Sequence, residues 1–385
     1  MGEINTLKSK KLFSANSPMR MLFLVHSLRR GGAERVLLEI ALALRAKGHA
    51  VEVVAWLDVD EYKESCYSSV PCHFLMHRDE YRWPWSVPHA AKRLRDVVAK
   101  FQPDVIEIHT PTVAWVAAWA NMQIPCIHVI QGYGSITRSG TFKDWLMRKG
   151  DRLANCLLKA NFIVSARPMT EVAAAHFAVD RARFQFVPNG VDALSFMPHT
   201  KIPDDAPFIM MLGTLSHHKG QQWGVRAIGV MQQHFPKAKL MIVGEGAYRA
   251  ELESLIRVMG LEGRAELTGR REDAFEMMAA SHVFWHLSES EGLPMVVLEA
   301  MACGVPVVGF DVRGTRDVVV DGETGYLVPF GDIQMVVQKT VELLKDKSTY
   351  QEISRNARER VASQYSLECM VDGHESSLLQ ADNGR

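Results

Sequence analysis

Two glutamates, Glu291 and Glu299, stand in the stretch SESEGLPMVVLEAMACG, residues 288–304. The run between them is apolar apart from a Gly and a Pro. A carboxylate is rarely kept in such surroundings without a partner, because its charge is costly to desolvate. Glu291 falls in a loop after the apolar run HVFWHLS, and residues 293–297 read as the entry to a helix. The first amides of a helix have no carbonyl partner within it, and its dipole favours negative charge there. A carboxylate beside that terminus can accept the paired hydroxyls of a ribose or hexose; the same two residues could instead cap the helix. Lys219, in GTLSHHKG, lies between a strand and a helix, where a compact ammonium can neutralise a phosphate. Gly31 and Gly32, in RRGG, follow the first strand. Two glycines there let the backbone approach an anion closely, or simply make a tight turn.

These groups need a frame. MRMLFLVHS is a continuous apolar run that reads as a buried parallel strand. The helix after it has apolar residues at 36, 37, 40, 41 and 44 and ends at Gly48. AVEVVAW, PDVIEIHT, IPCIHVIQG, ANFIVSA and RFQFVPNG continue as strands, with a helix through VAWVAAWANM. A second series starts near residue 206: strands PFIMMLGTL, AKLMIVGEG, RAELTG, HVFWHLS and VPVVGFD alternate with helices. The alternation predicts two doubly wound α/β domains, whose ligands sit beyond the carboxyl ends of the strands. The expected division is a flexible tail 1–18, an N-terminal domain 19–195, a C-terminal domain 196–362, and a helix with an unstructured tip in 363–385.

The chain has 385 residues and a formal net charge of zero, so nothing global suggests nucleic acid. Residues 1–195 hold 25 Lys+Arg against 18 Asp+Glu, and the remainder 19 against 26. A basic half suits an anionic surface. The six cysteines show no metal or C-x-x-C spacing, as expected for free thiols in a reducing cytosol. The polar N-terminus has no apolar core of a secretory signal. The uncharged stretch from Thr110 to Thr137 is interrupted by prolines and amides, and reads as a buried helix and strand. Three patterns are decoys. Asp58 and Asp60 (DVD) fall in a polar loop, GEGAYR lacks the third glycine of a dinucleotide fingerprint, and His217 with His218 lack a third metal ligand.

Taken together, the GG loop, VPNGVD (187–192), LGTLSHHKG (212–220), IVGEG (242–246), LTG (267–269), SESEGLPMVVLEAMACGVPVV (288–308) and DGETGYLVP (321–329) resemble the retaining glycosyltransferases of family four, with the GT-B fold. The resemblance covers about residues 19–375 and rests most on the E-x7-E spacing followed by AMACGVPVV. It implies two Rossmann-like domains facing a cleft, with a C-terminal helix crossing back to the first. It also implies a nucleotide-sugar donor, UDP- or GDP-linked, held by the C-terminal domain, with no cofactor and no metal. Glu299 would take the ribose hydroxyls. Glu291 and the backbone of Gly292, Leu293, Met295, Val296 and Val297 would face the donor sugar and phosphates. Lys219, with Gly213, Thr214, Gly31 and Gly32, would hold the diphosphate, and the base would lie near Gly269 and Arg270. Lys219 and Glu291 are the expected catalytic groups. His109 and Gln131 would be near the sugar and acceptor.

Two positions depart from the family pattern. Thr214 stands where an arginine usually helps grip the diphosphate, which implies either weaker donor affinity or compensation by Arg313 or Arg316. Gln131 stands where a histidine usually ends the strand; His128 points to the opposite face. The implied function is sugar transfer to a glycan or lipid-linked acceptor in surface polysaccharide, lipopolysaccharide or glycolipid synthesis. The rivals are a sugar-nucleotide binder without turnover and a nucleotide-sugar epimerase. The segment 138–159 places Arg138, Lys143, Arg148, Lys149, Arg152 and Lys159 among Phe142, Trp145, Leu146, Leu153 and Leu157. Such a helix can lie on an anionic membrane or be an ordinary surface helix. The expected location is therefore cytoplasmic, peripheral at the inner face of the cell membrane.

Overall fold

A computed structural model of the chain describes residues 18–62, 67–132, 136, 141–193, 195–196 and 205–383. It divides into two compact units. Of the described residues, one holds Asn189–Leu367 and the other those before Asn189 and those from Glu368.

The unit built mainly from the N-terminal half carries strands β1 (Arg20–Val25), β2 (Ala50–Leu57), β3 (Cys72–Met76), β4 (Val105–Ile108), β5 (Cys126–Ile130), β6 (Asn161–Val164) and β7 (Phe184–Phe186). They form one sheet in the order β3-β2-β1-β4-β5-β6-β7, with every pairing parallel. Helices α1 (Gly32–Ala46), α2 (Val87–Phe101), α3 (Pro111–Ala120), α4 (Phe142–Leu158) and α5 (Met169–Phe177) make the connections. A parallel sheet covered on both faces needs strands that are apolar throughout. Accordingly β1 is buried from Met21 to Val25 and all of β4 and β5 is buried.

The other unit carries β8 (Phe208–Leu212), β9 (Lys239–Val243), β10 (Ala265–Gly269), β11 (Val283–His286), β12 (Val307–Phe310) and β13 (Gly325–Val328). The sheet order is β10-β9-β8-β11-β12-β13, again all parallel. The helices are α6 (Gln221–Met231), α7 (Arg249–Val258), α8 (Ala274–Ala280), α9 (Met295–Ala302), α10 (Thr315–Val318), α11 (Ile333–Lys345) and α12 (Lys347–Gln364). One apolar core gathers Trp285, Ile228 and Phe310, and another Phe284, Val297 and Met301.

The last helix, α13 (Leu367–Asn383), belongs from Glu368 onward to the N-terminal unit. It is fastened there by polar contacts. His374 Nδ1 lies 3.1 Å from both oxygens of Glu107. Lys47 Nζ reaches Asp372 at 2.6 Å and also binds Glu375. His49 Nε2 meets Glu375 at 2.9 Å. The expected unstructured tip is corrected, since the helix runs on to Asn383.

The sequence reading has no strands at 72–76 and 325–328 and no helix at 87–101. β3 and β13 are edge strands, short and only partly buried, so neither shows the unbroken apolar run of a central strand. α2 is polar on average, with an apolar face of Val87, Ala90, Ala91, Leu94 and Phe101. The stretch 110–132 is α3 followed by β5, and among the described residues no helix is long and apolar enough to cross a membrane. Five cysteines are free thiols. Burial pushes those of Cys72, Cys126 and Cys303 up to about 12. Cys66 lies outside the described residues.

Candidate active site

In each sheet the strand order reverses beside the first strand, between β1 and β4 and between β8 and β11. Loops leaving the carboxyl ends of strands on either side of such a point diverge and leave room for a ligand. Lys219 follows β8 and Glu291 follows β11, so topology alone brings these sequence-distant residues to one place.

Backbone contacts then fix them. Lys219 closes a short 3-10 turn, His217–Lys219, and Gly220 follows with φ 73°. A Cβ on Gly220 would lie 1.7 Å from the Leu287 carbonyl oxygen, so only glycine lets this loop press against the exit of β11. The Glu289 N–H donates to the His218 carbonyl at 2.9 Å. From the other side Gly314, with φ 84°, packs under Glu291 and Gly292; a Cβ there would lie 2.4 Å from the Gly292 oxygen. The Glu291 N–H donates to the Arg313 carbonyl at 3.3 Å.

Held in this way, Lys219 Nζ donates to both oxygens of Glu291, at 2.7 and 2.9 Å. The side chains retain 29% and 12% of their exposure, so the pair is shielded yet still open to a ligand. Burial pushes the Glu291 carboxyl up, but His286, Lys219 and hydrogen bonds from Lys219 and Ser288 outweigh it and leave it below the ordinary value. His286, the last residue of β11, is buried, with Nε2 3.7 Å from Glu291 Oε1. Burial, with the Lys219 charge in support and Glu291 opposing, holds its imidazole down at about 4.

The segment after Glu291 enters α9, as the sequence predicts. Leu293 and Val297 are buried in the core, so only their backbone is available to a ligand. Met295 and Val296 open the helix without intrahelical acceptors for their amides. The Val297 N–H differs from the expectation, because it already donates to the Pro294 carbonyl at 3.0 Å. Glu299 is on the same helix, 3% exposed, and its charge helps raise the Cys303 thiol.

The remaining positions of this unit lie at the ends of neighbouring strands and in the loops that follow them. Gly213 and Thr214 leave β8; Thr214 is exposed, and its carbonyl accepts from Gln221 Nε2 at 3.0 Å. Gly269 ends β10, its carbonyl taking the Gly244 N–H at 2.9 Å, with exposed Arg270 next. Of the two arginines expected to offset Thr214, Arg316 is engaged by Asp311 at 2.8 Å. Arg313 is exposed, and its carbonyl already touches the Glu291 loop. The GEG run serves close packing: a Cβ on Gly246 would lie 2.1 Å from the Leu215 oxygen.

In the other unit, Gly31 caps α1 with extended backbone, and Gly32 begins the helix. His109 follows β4 and Gln131 follows β5, and the structure joins them: Gln131 Nε2 lies 3.3 Å from His109 Nδ1. His109 Nε2 lies 2.7 Å from Glu107, which is fully buried. Burial would raise the Glu107 carboxyl, yet His374 and His109 bring it down to about 2. His128 is buried away from Gln131, with Nδ1 3.0 Å from Asn155. Asp58 accepts from the Arg78 N–H at 2.7 Å, and Asp60 accepts from the Tyr62 N–H at 2.9 Å and from the Tyr67 hydroxyl. His217 lies 3.3 Å from Glu289.

Sequence reasoning missed His286, Gly314 and Glu107. The Gly in VRGTRD was a visible signal; a histidine ending an apolar strand was a weaker one.

Known proteins resemble the chain in sequence and fold. Residues 30–193 match the family described as Glycosyltransferase Family 4, and residues 194–360 match Glycosyl transferases group 1. N-acetyl-alpha-D-glucosaminyl L-malate synthase of Bacillus anthracis is 37% identical over 139 residues, 36% of this chain and 36% of that enzyme. The match thus spans about a third of that curated relative's length. The lipopolysaccharide core biosynthesis glycosyltransferase LpsE of Rhizobium meliloti is 30% identical over 172 residues, covering 45% of this chain and 49% of LpsE. The crystal structure of Anabaena HepE with UDP and glucose superposes with a TM-score of 0.79 at 21% identity, over 94% of this chain and 100% of HepE, a likeness of fold. With both units matched in sequence and the whole fold shared, the chain belongs to the GT-B glycosyltransferases of family four.

Proposed function

We propose that this protein is a retaining glycosyltransferase that moves a sugar from a nucleotide-diphospho-sugar to a glycan or lipid-linked acceptor in surface polysaccharide or glycolipid synthesis. The observation that carries the reading is the two-pronged Lys219–Glu291 pair at the switch point of the second sheet, beside the start of α9. Departure of a nucleoside diphosphate puts negative charge on the leaving phosphate. A lysine that turns from Glu291 to the diphosphate, together with the helix amides beside it, stabilises that charge. Glu291 faces the donor sugar, Glu299 the ribose, and Gly269 with Arg270 the base. The leaving phosphate itself takes the acceptor proton on the front face, so no protein nucleophile is assigned. HepE was crystallised with UDP and glucose, and LpsE is named for lipopolysaccharide core synthesis; both support the class of donor and product. A panel of UDP- and GDP-sugars tests the reading: one should raise the melting temperature and be consumed only when acceptor is added. Consumption without acceptor would indicate epimerisation, and stabilisation without consumption in an acceptor panel would indicate a binder.

Lysine and helix dipole take the place of a metal in this scheme. Turnover is therefore expected to persist in excess EDTA. Loss of activity that magnesium or manganese restores would send attention back to Asp58 and Asp60.

A lipid-linked acceptor would be met at a bilayer surface, and α4 has the surface for it. Phe142 is 78% exposed, Trp145 53%, Leu146 54%, Leu153 61% and Leu157 62%, with Lys143, Lys149 and Lys159 exposed among them. Arg152 is engaged elsewhere, donating to the carbonyls of Ala175 and His176 at 2.8 and 2.7 Å. Arg138 lies outside the described residues. The protein is expected to pellet with anionic but not neutral liposomes, less so at high salt, since each basic residue near such a surface contributes about 1 kcal/mol. Combining Lys143→Ser, Lys149→Ser and Lys159→Asn should reduce pelleting; Asn suits the left-handed conformation of Lys159, φ 49°. Wild-type protein left in the supernatant at low salt would favour a soluble acceptor.

A further inference from the structure

The Lys219–Glu291 pair poses a problem for the proposed chemistry. If Lys219 turns to the diphosphate, Glu291 loses the donor that holds both its oxygens. A carboxylate with 12% side-chain exposure cannot rely on water to replace it. Ser288 already hydrogen-bonds Glu291, and one further group is in reach. His286 closes β11 and is 4% exposed. Its Nε2 is buried and has no hydrogen-bond partner. The same Nε2 lies 3.7 Å from Glu291 Oε1, just beyond hydrogen-bond length. Buried polar atoms are normally satisfied, and an orphan one needs a reason.

We infer that His286 is a positioning residue that exchanges with Lys219: when the ammonium moves to the diphosphate, His286 Nε2–H donates to Glu291 and keeps its carboxylate aimed at the donor sugar. The exchange needs a shift of about 0.8 Å, the gap between 3.7 Å and an ordinary bond of about 2.9 Å. The backbone around it is firm, with His286 buried in a central strand paired to β12 and Glu291 pinned to the Arg313 carbonyl at 3.3 Å. The charged groups acting on the imidazole are Glu291 and Lys219. Removing the ammonium from the carboxylate therefore leaves His286 facing an unshared negative charge, which strengthens the new bond. This assignment rests on the proposed donor chemistry and adds a residue to it.

Two kinds of measurement test it. In the first, histidine is labelled with 15N, and the His286 resonance is assigned by its loss in His286→Leu. Addition of UDP or GDP to the wild type is expected to move the Nε2–H signal in the direction of hydrogen bonding. Lys219→Ala without nucleotide should already show the moved signal. Nucleotide binding seen at other resonances with His286 silent, or an unmoved signal in Lys219→Ala, overturns the inference. Loss of all nucleotide response with a moved signal in Lys219→Ala would instead count against the donor chemistry. In the second, His286→Leu should bind UDP or GDP within about twofold of wild type yet lose about tenfold in kcat, one hydrogen bond's worth. The acid limb of its pH–rate profile should move upward, because Glu291 has lost a group that keeps it ionised. His286→Gln, which keeps an N–H near the Nε2 position, should recover most of kcat and return the limb toward wild type. A purely packing role predicts equal losses in both variants, tracking melting temperature, with an unmoved limb.

Discussion

Lys219→Ala is expected to lower kcat on the order of 100-fold or more, the scale seen when a fixed donor to developing negative charge is removed. The reason is local. Its ammonium is the cation paired with Glu291, and it sits where two strands diverge, next to the start of α9. The fold should survive, because the side chain is 29% exposed and the loop is held by backbone contacts of His218 and Gly220 rather than by the ammonium. Breaking a fully buried pair costs about 3–5 kcal/mol; here solvent access makes the stability loss smaller. Melting temperature and steady-state kinetics on the same preparation separate the two effects. Folded variant turning over at the wild-type rate would remove Lys219 from the leaving-group role.

Glu299→Ala should weaken binding of the free nucleoside diphosphate by about 1.5–3 kcal/mol, tenfold to a hundredfold or more, because two ribose hydroxyls lose a charged acceptor. The site is buried at 3% exposure on α9, so the alanine also leaves a small cavity. Glu299→Gln keeps the volume and removes the charge, and should fall between wild type and alanine. Calorimetry with UDP and GDP, beside a thermal melt without nucleotide, reads affinity and stability independently. Affinity unchanged in both variants would take Glu299 out of the ribose role, whatever happens to stability.

Much of the site was legible in one dimension because its parts are short and local. Lys219 and Glu291 each lie in a loop between an apolar strand and a helix, and strand–loop–helix repeats carry their own periodicity. The resemblance of the E-x7-E run to family four supplied roles for residues that the spacing alone left open. Other features depend on pairs that only folding brings together. Thr214 and Arg313 are far apart in the chain, so only the fold decides whether one can serve for the other, whereas Arg316 is taken up within its own segment by Asp311. His286 reads as one more residue of a buried strand; its importance lies in a distance to Glu291 and in an unsatisfied nitrogen, neither of which a sequence displays.

The sequence by itself determined the two alternating α/β series, their parallel sheets, and the loops that hold the candidate groups, because hydrophobic period and turn residues are local properties. The tertiary structure decided which of those groups meet. It set Lys219 against Glu291 through the β8–β11 reversal and joined Gln131 to His109 across adjacent strands. It also fastened α13 to the N-terminal unit through His374 and Glu107, and Glu375 with Lys47 and His49. These are long-range pairings of charged and polar groups, whose energies depend on ångström distances and on the exclusion of water, and those are fixed only when the sheets have formed.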